Sequence, residues 1–375
     1  MMNMKLNMII SLLIVLCLGL TLYGHHPSLA QERQVPDTAF SHLGGEPIND
    51  IAYSPDGELL VVASDSGIWL YDTEKYQEVV YLEGGLVNSI SFNPDSTKLA
   101  SADSSGTVYL WDIATGTRLW YRDEHYGSPS VSFNPSGQTL ASAGGNRINL
   151  WDVSTGGYSA NIEFGIEFLS VSFSPDGRML ALGGADGRVF LWDVRSGRFR
   201  HTLEGHTDSV LSVAFNPSGL IVASAGFDQT VRLWNVATGT LRHTLEGHTF
   251  DVNSVSFRPD GRILASAGDQ TVRLWSVITG EPLRTLHGHT GWVNSVSFSP
   301  DGKKLASAGS DGQILLWSVG WPAADVNRDN TVNILDLVFI ANAFGQVGEN
   351  VADVNGDGIV DIRDLVLVAN AFGEV

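Results

Sequence analysis

The sequence predicts an all-β propeller of seven blades followed by a small all-α module, and three observations carry that prediction. An aromatic residue ending an apolar stretch recurs seven times, as Tyr71, Trp111, Trp151, Trp192, Trp234, Trp275 and Trp317, at spacings of 40, 40, 41, 42, 41 and 42. A turn of the Pro-Asp-Gly kind precedes each of them at a nearly constant offset. Beyond the seventh copy the pattern stops, and two acidic loops 28 positions apart take over. A repeat of forty-odd residues is the length that one four-stranded blade requires.

The clearest copy, Gly288 to Trp317, breaks into strands Val293–Phe298, Lys304–Ala308 and Gln313–Trp317 at Pro300-Asp301-Gly302 and Ser310-Asp311-Gly312. Proline pre-sets φ and glycine accepts φ > 0, so both separators are turns. The fourth strand of a blade follows the aromatic, as in Arg242–Leu245 and Leu283–Leu286. After Trp317 the chain offers none, whereas Ala39–Leu43 has the right character. That segment is therefore expected to pair onto the last blade and close the ring, removing the open edges.

Composition narrows the functional classes. Against 41 acidic residues stand 22 basic ones, a formal charge of −19, which argues against nucleic acid as a partner because phosphate contacts require Lys and Arg. Residues 1–30 carry Lys5, an apolar run from Met8 to Leu22, and Ser28-Leu29-Ala30, the pattern of a secretory signal. The run is shorter than the roughly 20 residues a membrane span needs, so the mature chain is expected to lack one and to be secreted. The lone Cys17 lies inside this run, leaving the mature protein without a disulfide framework. The polar segment 31–37 leads into the propeller at 38–320, and 321–324 link it to the module at 325–375.

Gly205-His206, Gly247-His248 and Gly288-His289, with Trp111-Asp112, Trp151-Asp152 and Trp192-Asp193, resemble the WD-repeat family. In that family a histidine, a serine, an aspartate and the tryptophan form a hydrogen-bonded network inside each blade. The resemblance assigns those places to His206, Ser224, Asp228 and Trp234; to His248, Ser266, Asp269 and Trp275; and to His289, Ser307, Asp311 and Trp317. A hydrolytic Ser-His-Asp site would need one exposed, strained copy, and three equivalent copies point to structure instead. Earlier repeats depart from the pattern: the aspartate position is Ser105 in the second and Gly145 in the third, Leu182 replaces serine in the fourth, and His125 stands in for the third histidine. Those blades should be held mainly by apolar packing, leaving blades five to seven the most regular.

Function should sit where the copies differ. Phe227 precedes the network aspartate where other repeats have small residues, and Phe250 and Trp292 occupy the turns entering blades six and seven. Together they would form an aromatic patch on one rim, a partner site for a protein or glycan.

Residues 325–336, DVNRDNTVNILD, and 353–364, DVNGDGIVDIRD, place oxygen donors at loop positions 1, 3, 5, 9 and 12 and a backbone carbonyl at position 7. The ligands are Asp325, Asn327, Asp329, Thr331, Asn333 and Asp336, then Asp353, Asn355, Asp357, Ile359, Asp361 and Asp364. Hard oxygen ligands at this spacing suit two Ca²⁺ ions. Each loop runs into a helical pattern, Leu337, Ile340, Ala341, Phe344 and Leu365, Val368, Ala369, Phe372. These paired loop-helix units resemble the type I dockerin, an EF-hand-like module whose resemblance implies a cohesin-like partner. Val338, Phe339, Val366 and Leu367 lie off the helical stripe, as candidates for that contact or for packing on the propeller.

These readings converge on a secreted, non-catalytic interaction protein tethered by a Ca²⁺-dependent module. Two alternatives stay open: a dockerin-borne glycoside hydrolase, for which Glu46, Asp50, Glu163 and Glu167 are the non-repeating acids near the rim, and a propeller that acts only as a spacer.

Overall fold

A computed structural model describes residues 36–41, 45–125 and 127–319. The expectations for the secretory leader and most of the lead-in (1–35), for His42 and Leu43, and for 320–375 with both acidic loops, their twelve ligands and Val338, Phe339, Val366 and Leu367 lie outside these residues.

Every regular element among the described residues is a β-strand. Within a repeat the burial of successive strands follows their place in the blade. The first alternates, as in Val210–Phe215 with the pattern of Val210, Val213 and Phe215 buried between half-buried neighbours. The second, such as Ile221–Gly226 and Ile263–Gly268, is buried at every position. The fourth is largely exposed, as in Arg198–Leu203, where Leu203 alone is buried. Small residues at Ala223-Ser224-Ala225 and Ala265-Ser266-Ala267 let sheets stacked on both sides approach, and the apolar core lies between consecutive sheets rather than inside any one. Each buried Leu, Val or Ile there contributes about 1.5–3 kcal/mol relative to exposure.

The Pro-Asp-Gly turns bond as expected, with Gly57 N donating to Ser54 O and Gly302 N to Ser299 O at 2.9 and 2.8 Å. Their third residue sits at positive φ, and in the second repeat Ser96 adopts 60° where the others place glycine.

Strand Thr38–Ser41 pairs antiparallel with Gln313–Ser318, Thr38 opposite Leu316 and Ser41 opposite Gln313, completing the sheet of Lys304–Gly309 and Val293–Phe298. The first and last repeats also share a core in which Ile48, Leu60 and Val62 meet Ala306, Ile314 and Leu316.

The expectation of seven separate four-stranded blades is corrected at the third and fourth repeats. The described strands form six sheets, five of four strands and one of six, the last running through Ser130–Phe133, Thr139–Asp152, Tyr158–Phe173, Met179–Gly184, Val189–Asp193 and Arg198–Leu203. The physical reason lies in the turns these repeats lack. No Gly-His loop separates the outer strand of the third repeat from the first strand of the fourth, so Tyr158–Phe173 continues without a break. Nor does an Asp-Gly turn interrupt Thr139–Asp152. This element nevertheless reverses on itself: Trp151 Nε1 donates to Ser142 Oγ at 2.8 Å, whereas nine residues of straight strand would separate them by about 30 Å.

A second set of bonds steps from repeat to repeat along the first strands. Val131 N donates to Ser89 Oγ, Val171 N to Ser130, Val213 N to Ser170, Val255 N to Ser212 and Val296 N to Ser254, at 3.1 to 3.4 Å. The circuit closes through Asp50, which accepts Ser295 Oγ at 2.7 Å and Ile90 N at 2.9 Å.

Candidate functional site

Repeats five and seven contain the polar network complete. Trp234 Nε1 donates to Ser224 Oγ at 2.8 Å, Ser224 Oγ lies 2.7 Å from His206 Nε2, and His206 Nδ1 lies 2.9 Å from Asp228 Oδ2. An indole can only donate, so the serine hydroxyl passes its own proton toward Nε2 and the histidine carries its proton on Nδ1, facing the carboxylate. The seventh repeat reproduces this with Trp317, Ser307, His289 and Asp311 at 2.9, 2.8 and 3.0 Å. In the sixth, Trp275 and His248 meet Ser266 at 2.8 and 2.7 Å, but His248 Nδ1 stands 3.4 Å from Asp269 without a well-formed hydrogen bond. Asp269 holds φ at 35°, a conformation that costs a non-glycine residue energy and turns its carboxylate instead toward Thr249 and Thr271.

Burial pushes the His206 imidazole below its ordinary pKa despite the neighbouring carboxylate. Burial alone would raise Asp228, yet the bonds from His206 and Thr230 outweigh it and hold the carboxyl below its usual range. The pair is therefore a neutral imidazole on an ionised carboxylate at neutral pH. All three serines are completely buried, so none presents its hydroxyl to a substrate.

His125 does take the histidine place of the third repeat, with Nε2 2.7 Å from Ser142 Oγ; the Gly144 carbonyl, 3.1 Å from Nδ1, replaces the missing carboxylate. One network residue escaped the sequence reading. Asp103, two positions before the Ser105 taken for the aspartate place, accepts Ser105 N, Thr107 N and the Tyr109 hydroxyl at 2.9 to 3.0 Å. Its signal was a buried-strand aspartate where other repeats have serine or glycine.

The three aromatic departures are exposed, Phe227 by 42%, Phe250 by 59% and Trp292 by 61%. Phe227 follows Ala225 by two residues and Phe250 precedes Val252 by two, and Ala225 and Val252 share one core cluster. From Phe250 to Trp292 the path is short: Thr249 N bonds Asp269 Oδ2, and Asp269 O accepts Val293 N. Gly309 passes beneath Trp292, where a Cβ would fall 2.0 Å from the Trp292 carbonyl oxygen. Exposed acids Glu204, Asp208, Glu246 and Asp251 stand in the same turns.

The four non-repeating acids are each engaged separately. Glu46 accepts Ser66 Oγ at 2.6 Å, Glu163 accepts Asn146 Nδ2 at 2.9 Å, and Ala185 N bonds the backbone of Glu167. Asp50 is not at the rim; it sits half-buried within the first strand and joins three repeats. Among the described residues no cluster of His, Cys, Asp and Glu could hold a metal, and no helix is long and apolar enough to cross a membrane.

Comparison with known proteins follows the same division. The model of the WD domain, G-beta repeat, matches seven segments, 36–72, 79–112, 119–152, 164–193, 197–235, 239–276 and 280–318, and that of the dockerin type I domain matches 323–373. The chain is 36% identical over 98 residues to the WD repeat-containing protein SL1-17 of Schistosoma mansoni, a match covering 25% of this chain and 32% of that protein. With seven matched segments spanning most of its length and their strands folded as a propeller, the chain belongs to the WD domain, G-beta repeat family and carries a dockerin type I domain beside it.

Proposed function

We propose that the protein is a secreted, non-catalytic interaction scaffold whose propeller presents a partner-binding rim while its dockerin module tethers it, with Ca²⁺, to a cohesin-like domain. The observation that carries this reading is the run of exposed Phe227, Phe250 and Trp292 on one rim, bordered by Glu204, Asp208, Glu246 and Asp251. Clustered exposed aromatics are the usual anchors of an interface, and the acidic border favours a partner with a basic surface. For the tether, the support is the donor set itself. Five side-chain oxygens and one carbonyl per loop match what Ca²⁺ requires, and a segment with seven Asp, two Glu and two Arg gains compactness from a bound cation.

The three serine-histidine networks brace their blades rather than act on a substrate, a reading supported by the burial of every serine hydroxyl. The six-stranded sheet is read as two blades, bringing the ring to seven. Its support is the reversal within Thr139–Asp152 and the seven-step circuit of bonds along the first strands.

Capture of partners from the native secreted fraction, with the mature chain as bait in calcium and in chelator, tests the scaffold. A calcium-dependent partner lost on deletion of 322–375 identifies the tether. A second partner, indifferent to calcium and lost in Phe227→Ser with Trp292→Ser, identifies the rim. Binding unchanged by both alterations defeats the proposal. The two serine substitutions lie on the surface and should move stability by no more than about 0.5 kcal/mol.

A further inference from the structure

Seven copies of one unit let the chain serve as its own reference, and three departures in the first copy meet at one place. Where the six other repeats end their first strand in phenylalanine (Phe92, Phe133, Phe173, Phe215, Phe257, Phe298), the first has Tyr53. Where the others place isoleucine or valine two residues after the strand-ending tryptophan, from Ile113 to Val319, the first has Thr73 two residues after Tyr71. Where five others turn on glycine, as at Gly116 and Gly156, the first has Tyr76. Each change adds a hydroxyl group, and two add or keep an aromatic ring.

All three line one cleft of about 490 Å³ between the first and last repeats, together with Asp56, Asp301 and Lys304. That volume lies within the roughly 300–1,000 Å³ of small-molecule sites. The cleft is formed by the Pro-Asp-Gly turns and by the turn after Tyr71, at the opposite strand ends from Phe227, Phe250 and Trp292, so it is separate from the rim.

Two features carry a cost, although the Tyr76 ring also packs on Phe40 at 5.6 Å. Tyr76 holds φ at 55°, close to the 65° and 66° of Gly116 and Gly156, in a region that disfavours a side chain. The Tyr53 hydroxyl is buried, its residue only 8% exposed, and has no hydrogen-bond partner. Tyr76 acts on it electrostatically without completing a well-formed bond, and burial with these neighbours raises the phenol far above its ordinary pKa. An orphaned buried hydroxyl destabilises the fold, a cost that the phenylalanine of the other repeats avoids.

The chemistry of the walls restricts the ligand. Lys304 Nζ lies 5.3 Å from the centre of the Tyr76 ring and donates to its hydroxyl at 3.1 Å, so one cation is already in place. A second cation would be repelled by it, and an anion would face the carboxylates of Asp56 and Asp301. A neutral molecule rich in hydroxyl groups meets neither obstacle. Its hydroxyls would donate to the carboxylates and accept from Tyr53 and Lys304, and its apolar ring face would lie on Tyr76. We propose that the cleft between Tyr53, Thr73 and Tyr76 at the junction of first and last repeats binds a neutral saccharide unit.

The test is saturation-transfer NMR on the mature full-length chain with glucose, cellobiose and xylobiose as neutral probes. Glucose 6-phosphate and glucosamine are the anionic and cationic counterparts of the same ring. Tyr53→Phe, Thr73→Val and Tyr76→Gly restore the pattern of the other repeats; Thr73→Val gives up the bond to Gly57 O at 2.6 Å and Tyr76→Gly the ring contact with Phe40 at 5.6 Å, so thermal unfolding checks that each variant is folded before binding is compared. The expected result is transfer to a neutral probe, weaker transfer to both charged ones, and about tenfold weaker binding for each hydroxyl removed. A response to cellobiose or xylobiose but not glucose assigns the cleft to the end of a chain, whereas an equal response assigns it to a single sugar. The proposal is overturned if no neutral probe responds, if a charged probe binds more tightly, or if the three substitutions together leave the response unchanged.

Discussion

Repeats one to four and repeats five to seven secure the same blade by different means. In the fifth and seventh a tryptophan, a serine, a histidine and an aspartate are chained by hydrogen bonds, and the sixth keeps the tryptophan-serine-histidine part of the chain. The earlier four are laced by aromatic contacts: Trp69 against Tyr81 at 4.6 Å, Tyr109 against Trp111 at 5.6 Å, Trp151 against Tyr158 at 4.6 Å, and Phe168 against Phe190 at 5.8 Å. The later repeats show the histidine-tryptophan contacts of the network itself, and the closing strand of the last sheet adds Phe40 against Tyr71 and Tyr76 of the first repeat, both at 5.6 Å. A blade needs its outer strands fixed to its inner ones, and either a polar chain or stacked rings meets that need.

The largest effect that could break this equivalence is removal of the shared tryptophan. Trp151 and Trp234 are buried to a similar degree, and each donates to a serine. Trp151→Ala and Trp234→Ala should each lose about 3–5 kcal/mol in urea unfolding. A loss confined to Trp234→Ala would mean that the aromatic repeats do not depend on the same anchor.

The next effect sharpens the contrast. Asp228→Ala leaves the buried Nδ1 of His206 without its carboxylate and should cost about 2–3 kcal/mol, whereas Tyr109→Phe removes only the bond to Asp103 and should cost about 1 kcal/mol. The first difference depends on pH. With the Asp228 carboxyl held below its usual range in the folded protein, its contribution is present above the unfolded carboxylate pKa and is lost as pH falls through the folded value. Stability curves of the native and Asp228→Ala proteins should draw together as pH falls below the unfolded carboxylate value and through the lower folded one. Curves that stay parallel would remove the carboxylate from the account.

A further effect has the opposite sign. At the position where five other repeats use serine as acceptor, Asp50 is pushed by burial up to about 6, against three donors from Ser295, Ile90 and Ile51. A raised carboxyl stabilises the fold fully below the unfolded value near 3.8, and that contribution is lost as pH rises through about 6. Asp50→Ser should thus gain about 1–2 kcal/mol at neutral pH, after allowance for solvent screening, and nothing at pH 4. A variant less stable at pH 7 would show that the three donors outweigh burial.

Much of the propeller was legible because its physics repeats. Period and turn chemistry followed from spacing, whereas the closing strand at Thr38–Ser41 followed from the count of four strands to a blade and the participants of the later networks from the family resemblance. What spacing does not reveal is continuity between units. Phe164-Gly165-Ile166-Glu167 carries no turn chemistry, and only the register of Tyr158–Phe173 against its neighbours shows how the third and fourth repeats merge. Asp103 was missed because a shift of two positions moves a carboxylate to the end of a strand while leaving it able to cap the same turn. Asp50 was misplaced at the rim because a single acid has no pattern to locate it. The cleft residues were hidden in plain alignment: Tyr53, Thr73 and Tyr76 look like ordinary drift until their convergence is seen.

The pairing of Thr38–Ser41 with Gln313–Ser318 joins residues separated by nearly the whole propeller. During synthesis the first of these strands waits, exposed and unpaired, until the last repeat has left the ribosome. Non-local pairings of this kind are slow to form, and an unpaired edge invites other strands to add to it. The junction between first and last repeats is thus the step on which completion of the ring depends, and the place where an incompletely made chain is most open to aggregation.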